Sequence, residues 1–199
     1  RFEWRGMMLD VSRHFFTMAE VKRMVDAMSL FKLNRLHLHL TDGPGWRLEI
    51  KKYPLLTSMS AWRVPLADGE WNWQEVKLAI QEHDPEATYG GFYTQEQMRE
   101  FVAYAAKYHI QVIPEIEMPG HEVAAISVYP ELTCHAKQVP IRTTCGVSDE
   151  LLCPGNEFTY EFLGNVFKEI ADIFPSKYIH LGGDEAGNPA LDCWTSCPK

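Results

Sequence analysis

The sequence predicts an α/β protein built as a (β/α)8 TIM barrel, of which this chain supplies about the first four strands. Short apolar runs alternate with helical segments in the order βαβαβαβ, which is typical of a parallel sheet covered by helices. Polar residues follow each apolar run, and a barrel gathers the carboxyl ends of its strands at one site. No Gly-x-Gly-x-x-Gly follows the first run, which weakens the doubly wound, dinucleotide-binding alternative.

The composition indicates one globular unit over residues 1–199. The chain is 46% hydrophobic and 23% charged, enough for a sizeable core, and no change of composition marks a second domain. Its net charge of −8 argues against nucleic acid or an anionic membrane surface as partner. No apolar stretch approaches the roughly 18 residues of a membrane span, and no leader precedes the first strand, so neither a span nor a signal peptide is expected in these residues.

Five cysteines lie in the last third of the chain: Cys134, Cys145, Cys153, Cys193 and Cys197. Their odd number and spacing fit neither a disulfide framework nor a zinc ribbon, which uses two close Cys-x-x-Cys pairs. One or two disulfides remain open, for example among Cys134, Cys145 and Cys153.

The first strand is predicted at 7–12, with Arg13 and His14 at its carboxyl end. A capping box at 17–20 begins a helix whose apolar residues recur at helical spacing. The second strand, at 33–40, leads to Asp42. Each strand therefore ends in polar residues.

The segment at 46–92 is longer than most connections and contains only a weak helical patch at 72–82, so we expect it to carry function or to cover a site. A second capping box at 94–97 begins the next helix. A strand at 111–118 follows, and the turn after it places His121.

Asn156 begins a third helix with a broad apolar face, which Pro175 ends. The fourth strand, at 178–181, runs into two glycines and then Asp184 and Glu185. Two adjacent carboxylates at the end of a buried strand are candidates for acid–base chemistry, because burying them is costly unless they are paired or protonated.

The strand ends together offer an arginine, an aspartate, a histidine and two acids. The guanidinium of Arg13 suits neighbouring hydroxyls or a carboxylate. If Asp42 holds one ring nitrogen of His121 and Glu185 meets the other, the three residues form a relay that tunes a general acid.

A metal site is the alternative. His37 and His39 lie two apart on one strand and share a face, so they could bind a metal with Glu115, Glu117 or His121 in a metal-dependent hydrolase. Because the pair lies inside the strand rather than at its mouth, packed and hydrogen-bonded histidines are the favoured interpretation.

The chain resembles the β-N-acetylhexosaminidases of glycoside hydrolase family 20. The segments that carry the resemblance are 5–14, 32–42, 91–94, 113–121 and 180–185. It departs from the family where Gly43, Pro44 and Gly45 stand in place of a second acid after Asp42. A complete barrel takes about 250 residues and only four strands are predicted here, so we expect the rest of the barrel beyond Lys199. We also expect residues 1–199 alone to be unstable or inert, because a half barrel exposes its sheet edges.

The resemblance also implies the role of each site residue. Glu185 is the general acid and then the base, while Asp184 orients the substrate's own 2-acetamido group, which attacks to give an oxazolinium intermediate. Arg13 binds hydroxyls of the terminal sugar, and Asp42 with His121 supports the acid. Burial beside Asp184 would keep Glu185 protonated near neutral pH, as a general acid requires.

The implied function is that of a retaining exo-β-N-acetylhexosaminidase that acts on glycans or glycoconjugates with terminal GlcNAc or GalNAc and needs no cofactor or metal. Family habit indicates an extracellular, periplasmic or lysosomal location. A non-catalytic sugar-binding remnant is the further alternative if the chain ends at Lys199. The sequence leaves the oligomeric state open.

Overall fold

A computed structural model describes residues 2–65, 85–143, 146–186 and 193–199. The predicted helical patch at 72–82 lies outside these ranges. The elements follow in the order β1 (Gly6–Asp10), α1 (Met18–Leu30), β2 (Arg35–His39), β3 (Thr41–Asp42), β4 (Gly45–Trp46), α2 (Leu55–Ser58), β5 (Trp62–Arg63), β6 (Tyr89–Gly90), α3 (Gln95–Lys107), β7 (Gln111–Glu115), α4 (Val123–Val128), a 3-10 turn (Pro130–Leu132), α5 (Glu157–Ile173) and a second 3-10 turn (Cys193–Ser196).

A parallel sheet of three strands, in the order β1, β2, β7, lies at the centre of the fold. β2 is the middle strand and pairs in parallel with both neighbours. The register places Asp10, His39 and Glu115, the last residue of each strand, in one row. The parallel pairing and the alternation of strands with helices confirm the predicted α/β class.

The predicted fourth strand at 178–181 is present only as a single parallel bridge between His180 and Glu115. The His180 N–H donates to the neighbouring strand at 2.9 Å, and the His180 carbonyl accepts from it at 3.1 Å. Gly182 and Gly183 then adopt φ angles of 62° and 96°. Left-handed backbone cannot continue a strand, so the predicted break at the two glycines is confirmed. The residues before them form one bridge and not a regular strand, so the prediction of a regular fourth strand is wrong in extent.

The long helices bury their apolar faces in one core with the central strand. Leu36 and Leu38 of β2 are fully buried in it. The helix residues in the same core include Val21, Val25 and Met28 of α1, Met98, Phe101 and Ala105 of α3, and Phe162, Val166 and Ile170 of α5. Within the described part of the chain, no helix combines the length and apolarity needed to cross a bilayer.

The opposite face of the sheet carries an open groove of about 540 Å³. Met8 and Tyr178 line it and are 47% and 54% exposed, and the rings of His37 and His180 line it as well. A doubly wound sheet carries helices on both faces, whereas a barrel carries them only outside. Among the described residues no helix lines this groove, as expected for the inner face of a barrel.

Local capping explains where the helices begin. The Glu20 carboxylate accepts the Thr17 N–H at 2.8 Å at the start of α1. At the start of α3, Thr94 Oγ1 accepts the Gln97 N–H at 3.1 Å, and Gln97 Oε1 accepts the Thr94 N–H at 2.9 Å. Asn156 Oδ1 accepts an N–H of the first turn of α5 at 3.3 Å. Both predicted capping boxes and the predicted Asn cap are confirmed.

The described parts of the long connection at 46–92 are organised around Arg47, which is fully buried. Its guanidinium donates to the main-chain carbonyls of Ser12 at 2.7 Å, Ala61 at 2.5 Å and Gly91 at 3.1 Å. A buried cation is tolerated only when its donors are satisfied. Arg47 thus fixes this connection against the carboxyl end of β1.

The structure describes four of the five cysteines. Cys134 and Cys153 are buried free thiols, and Cys193 and Cys197 are also unbonded. Cys145 lies outside the described residues. The described cysteines therefore give no support to the disulfides that the sequence left open.

Leu38→Ala tests the position of the core. In the full-length protein, the substitution removes a fully buried side chain from the middle strand, so we expect the free energy of unfolding in urea to fall by about 2–5 kcal/mol. Leu30→Ala, at a residue that is 80% exposed, is the matched control and should change it by less than about 0.5 kcal/mol. Equal losses at both positions would contradict this core.

Candidate active site

The buried carboxylate of Asp42 is the centre of the candidate site. Its Oδ2 lies 2.6 Å from Arg13 Nη2 and 3.2 Å from His39 Nε2, and its Oδ1 accepts the Gly43 N–H at 2.5 Å. Burial alone would raise the pKa of Asp42, but interactions with His121, His39 and Arg13 hold it well below its usual range. Asp42 is therefore ionised and held by cations from separate segments.

A second carboxylate, Glu115 at the end of β7, joins three histidines. Its Oε2 lies 2.7 Å from His37 Nε2 and 2.5 Å from His39 Nδ1, and its Oε1 lies 2.8 Å from His180 Nδ1. Although burial opposes it, hydrogen bonds with His37 and His39 hold the pKa of Glu115 well below its usual range. Burial would lower the pKa of His39, yet Asp42 and Glu115 raise it to about 10. His39 is thus an imidazolium between two carboxylates.

His121 lies between Asp42 and the two adjacent acids, Asp184 and Glu185, of which Glu185 ends the predicted relay. Its Nδ1 lies 3.5 Å from Asp42 Oδ1, and its Nε2 lies 3.1 Å from Glu185 Oε2 and 3.7 Å from Asp184 Oδ2. The ring is buried, and interaction with Asp42 raises the pKa of His121. These are ion-pair distances without hydrogen-bond alignment. The structure therefore places the three predicted members of the relay in the expected order.

Left-handed backbone shapes the loop that carries the two acids. A Cβ at Gly182 would lie 1.8 Å from Glu117 Oε1, so glycine is required for this close approach. Gly183 N–H donates to the same oxygen at 2.8 Å. Glu185 itself has a φ of 53°, an uncommon conformation for a residue with a side chain and one that is concentrated at functional sites.

Two further buried carboxyls lie beneath this loop. Burial raises the pKa of Glu117 to about 7, although the Gly183 N–H opposes the shift. Burial likewise raises the pKa of Glu122 well above its usual range, and Thr41 Oγ1 donates to it at 3.3 Å. The sequence analysis considered Glu117 only as a metal ligand and did not consider Glu122. The signal for Glu117 was its alternation with Glu115, which places both on one face.

All five predicted site residues lie in one region: Arg13, Asp42, His121, Asp184 and Glu185. Their chemical roles remain predictions. Asp10 was not among the predicted site residues, although its Oδ2 lies 2.6 Å from Arg13 Nη1. Its position at the end of β1 could have indicated it, since the other strand ends were examined for polar residues.

The two acids differ from the sequence analysis in their burial. Glu185 was expected to be buried, but the side chains of Asp184 and Glu185 are 65% and 55% exposed. They lie at the open inner side of the sheet, where no described element covers them. The expected enclosure of Glu185 is therefore wrong for the described residues.

The two strand histidines are already engaged with a carboxylate. His37 and His39 both contact Oε2 of Glu115. This is the packed, hydrogen-bonded arrangement that the sequence analysis favoured over a metal site.

Comparison with known proteins identifies the family. The profile of "Glycosyl hydrolase family 20, catalytic domain" matches residues 2–199. The chain is 44% identical over 200 residues to a beta-hexosaminidase of Akkermansia muciniphila, and the aligned region covers 100% of this chain and 36% of that protein. It is 42% identical over 196 residues to a beta-hexosaminidase of Porphyromonas gingivalis, and the aligned region covers 98% of this chain and 22% of that protein.

Solved structures give the same result. A crystal structure of a beta-N-acetylhexosaminidase superposes with a TM-score of 0.85 and 44% identity, over 100% of this chain and 38% of that one. The structure of a GH20 exo beta-N-acetylglucosaminidase from Vibrio harveyi, in complex with N-acetylglucosamine, superposes with a TM-score of 0.77 and 38% identity. That match covers 100% of this chain and 29% of the Vibrio harveyi chain.

The parallel βα architecture and the carboxylates at its strand ends are those of a barrel-type glycoside hydrolase. More narrowly, the chain belongs to glycoside hydrolase family 20. It spans between 22% and 36% of the length of the two relatives named above.

Glu117→Gln tests the buried carboxyl beneath the loop. The pKa of Glu117 rises from 4.5 to about 7 on folding, so its contribution to stability is fully present below about pH 4.5 and is lost as the pH rises through about 7. The amide keeps an acceptor for Gly183 N–H but cannot titrate. We therefore expect the variant to gain about 1–3 kcal/mol of stability relative to the wild type between these pH values.

Urea unfolding of the full-length protein at several pH values measures this difference. Glu96→Gln makes the same chemical change at an exposed position on α3 and is the matched control. A difference between Glu117→Gln and the wild type that stays constant with pH would contradict the buried, proton-binding state of Glu117.

Proposed function

We propose that this chain supplies the first half of the active site of a retaining exo-β-N-acetylhexosaminidase, which removes terminal β-linked GlcNAc or GalNAc from glycans or glycoconjugates. The observation that carries the proposal is the position of His121, with one ring nitrogen towards Asp42 and the other 3.1 Å from Glu185. The relatives are beta-hexosaminidases, and the Vibrio harveyi structure holds N-acetylglucosamine, which supports the substrate class.

Glu185 acts as the general acid and then as the general base. It protonates the glycosidic oxygen as the bond to the anomeric carbon breaks, and its carboxylate then takes a proton from the attacking water. Asp42 orients His121, and His121 in turn holds the Glu185 carboxyl. The exposed side chain of Glu185 faces the open inner side of the sheet, where a sugar can reach it.

Asp184 acts on the substrate's own nucleophile. The carbonyl oxygen of the 2-acetamido group attacks the anomeric carbon and gives an oxazolinium intermediate, and this family lies outside the scheme with two catalytic carboxyl groups. Asp184 accepts the acetamido N–H and stabilises the positive charge that develops. Because Asp184 lies beside Glu185, one loop presents both carboxyl groups to the substrate. By holding the acetamido group in position for attack, Asp184 provides the proximity advantage of an intramolecular reaction.

Arg13 binds hydroxyls of the terminal sugar. Asp10 and Asp42 each lie 2.6 Å from one of its terminal nitrogens. Two carboxylates therefore fix the plane of the guanidinium before a substrate arrives. A fixed fork of donors suits a pair of neighbouring hydroxyls.

The remainder of the barrel completes the site. Three parallel strands and one bridge account for the first four strands, and the exposed apolar residues of the inner groove are those that further strands would cover. The solved relative extends well beyond the matched part, since the match covers 38% of it.

We also propose that this protein acts outside the cytoplasm, as the family habit indicates.

Glu185→Gln tests the role of the acid. With an aryl N-acetyl-β-glucosaminide as substrate for the full-length protein, we expect kcat to fall by about 10²–10⁴. The loss should be smaller for aryl leaving groups that depart without a proton than for alkyl ones, since only the proton donor has been removed. Glu96→Gln, on the exposed face of α3, is the control and should retain activity. Unchanged turnover in Glu185→Gln would contradict the assignment.

Residues 1–199 expressed alone test the half barrel. We expect this fragment to show no cooperative thermal transition and no turnover, because the inner groove and the sheet edge remain exposed. Calorimetry and the same aryl glycoside assay measure both properties. A sharp melting transition together with normal turnover would show that the described strands need no further barrel.

A further inference from the structure

Four cysteines that the proposed chemistry does not use converge in space. Cys134 follows the 3-10 turn at Pro130–Leu132, Cys153 precedes α5, and Cys193 and Cys197 lie at the carboxyl end of the described chain. All four belong to one small cluster apart from the main core. Cys134 and Cys153 are 19 residues apart, and Cys153 and Cys193 are 40 residues apart. Because these separations are long, the sequence spacing did not indicate the cluster.

The distances fit a tetrahedral metal. The Sγ atoms of Cys134, Cys153 and Cys197 all lie within 4.8 Å of one another, and those of Cys153 and Cys197 are 3.6 Å apart. Four sulfur ligands about 2.3 Å from a zinc ion lie about 3.8 Å from one another. The three sulfurs already have approximately this spacing.

Cys193 is suited to complete the set. It is buried in the same cluster, and its Sγ accepts the Leu151 N–H at 3.4 Å and lies 3.7 Å from Thr133 Oγ1. A main-chain N–H that donates to a sulfur is the kind of outer contact that stabilises a bound thiolate. Cys193 therefore has the surroundings of a metal ligand.

A disulfide accounts for this arrangement less well. One disulfide joins two sulfurs and would leave the third member of the close group as a single thiol. None of the four described cysteines is bonded. A single tetrahedral ion can bind all four sulfurs at once.

We propose that Cys134, Cys153, Cys193 and Cys197 form a structural zinc site. A thiolate-rich tetrahedral set selects Zn²⁺ over the oxygen-preferring divalent cations. With four protein ligands, the ion has no open position for substrate or water, so its role is to hold the fold together.

The site would fix the back of the active-site loops. Ala186, directly after Glu185, packs against the cysteine cluster. Leu152, beside Cys153, donates its N–H to the Pro119 carbonyl at 2.9 Å, in the turn that carries His121. The zinc site therefore supports both partners of the His121–Glu185 contact from the side away from the substrate.

Metal analysis of the full-length protein, purified without chelator, tests the proposal. We expect about one zinc per chain by mass spectrometry, release of that zinc by a mercurial thiol reagent, and a thiolate-to-cobalt charge-transfer band after cobalt substitution. These measurements use the wild-type protein and do not depend on whether a variant folds. Absence of stoichiometric metal, or disulfides found by alkylation without reduction, would overturn the proposal.

Variants locate the ion. Cys153→Ser and Cys197→Ser should lose most of the zinc, whereas Ser196→Ala, in the 3-10 turn directly before Cys197, should keep it. Glu185→Gln should also keep it, so failure of the zinc proposal is distinguishable from failure of the proposed function. Zinc that stays in the cysteine variants but leaves on His37→Ala would place the metal at the strand histidines and overturn the proposal.

Discussion

The burial of the Asp42 carboxylate is the constraint on which the rest of the site depends. An ionised carboxylate in the protein interior costs several kcal/mol unless charged partners compensate it. Its partners come from different parts of the chain: Arg13 follows β1, His39 ends β2 and His121 follows β7. Satisfying this one charge therefore fixes the relative positions of three strand ends before any substrate binds, which is the preorganisation that electrostatic catalysis requires.

The same constraint explains why the central strand carries histidines on its inner face. His39 meets Asp42 through one ring nitrogen and Glu115 through the other, and Glu115 also contacts His37 and His180. His39 is the member shared by the two buried carboxylates of this row, Asp42 and Glu115. Removing His39 takes this cation from both carboxylates, and breaking a buried ion pair in this way costs about 3–5 kcal/mol. His39 is thus part of the support for Asp42.

The sequence predicted what depends on local chemistry. The capping boxes at Thr17 and Thr94 determine helix starts from residues three apart, and their hydrogen bonds are present. Features that depend on contacts between distant segments were missed or wrong: the fourth strand pairs with its neighbour through only one bridge, and the role of Glu115 follows from cross-strand register. The cysteine cluster was missed for the same reason, since its members are brought together only by the fold.

The position of Glu185 follows from backbone rather than from burial. Its side chain is 55% exposed, so the described residues do not supply the desolvation that a general acid uses. They supply orientation instead: Gly183 N–H is held by Glu117, Glu185 has left-handed backbone, and Ala186 packs on the cysteine cluster. If Glu185 is the general acid that we propose, its desolvation would have to come from the bound sugar and from further strands of a barrel. The described residues would then orient the acid, and closure around the substrate would make its surroundings apolar enough for proton transfer.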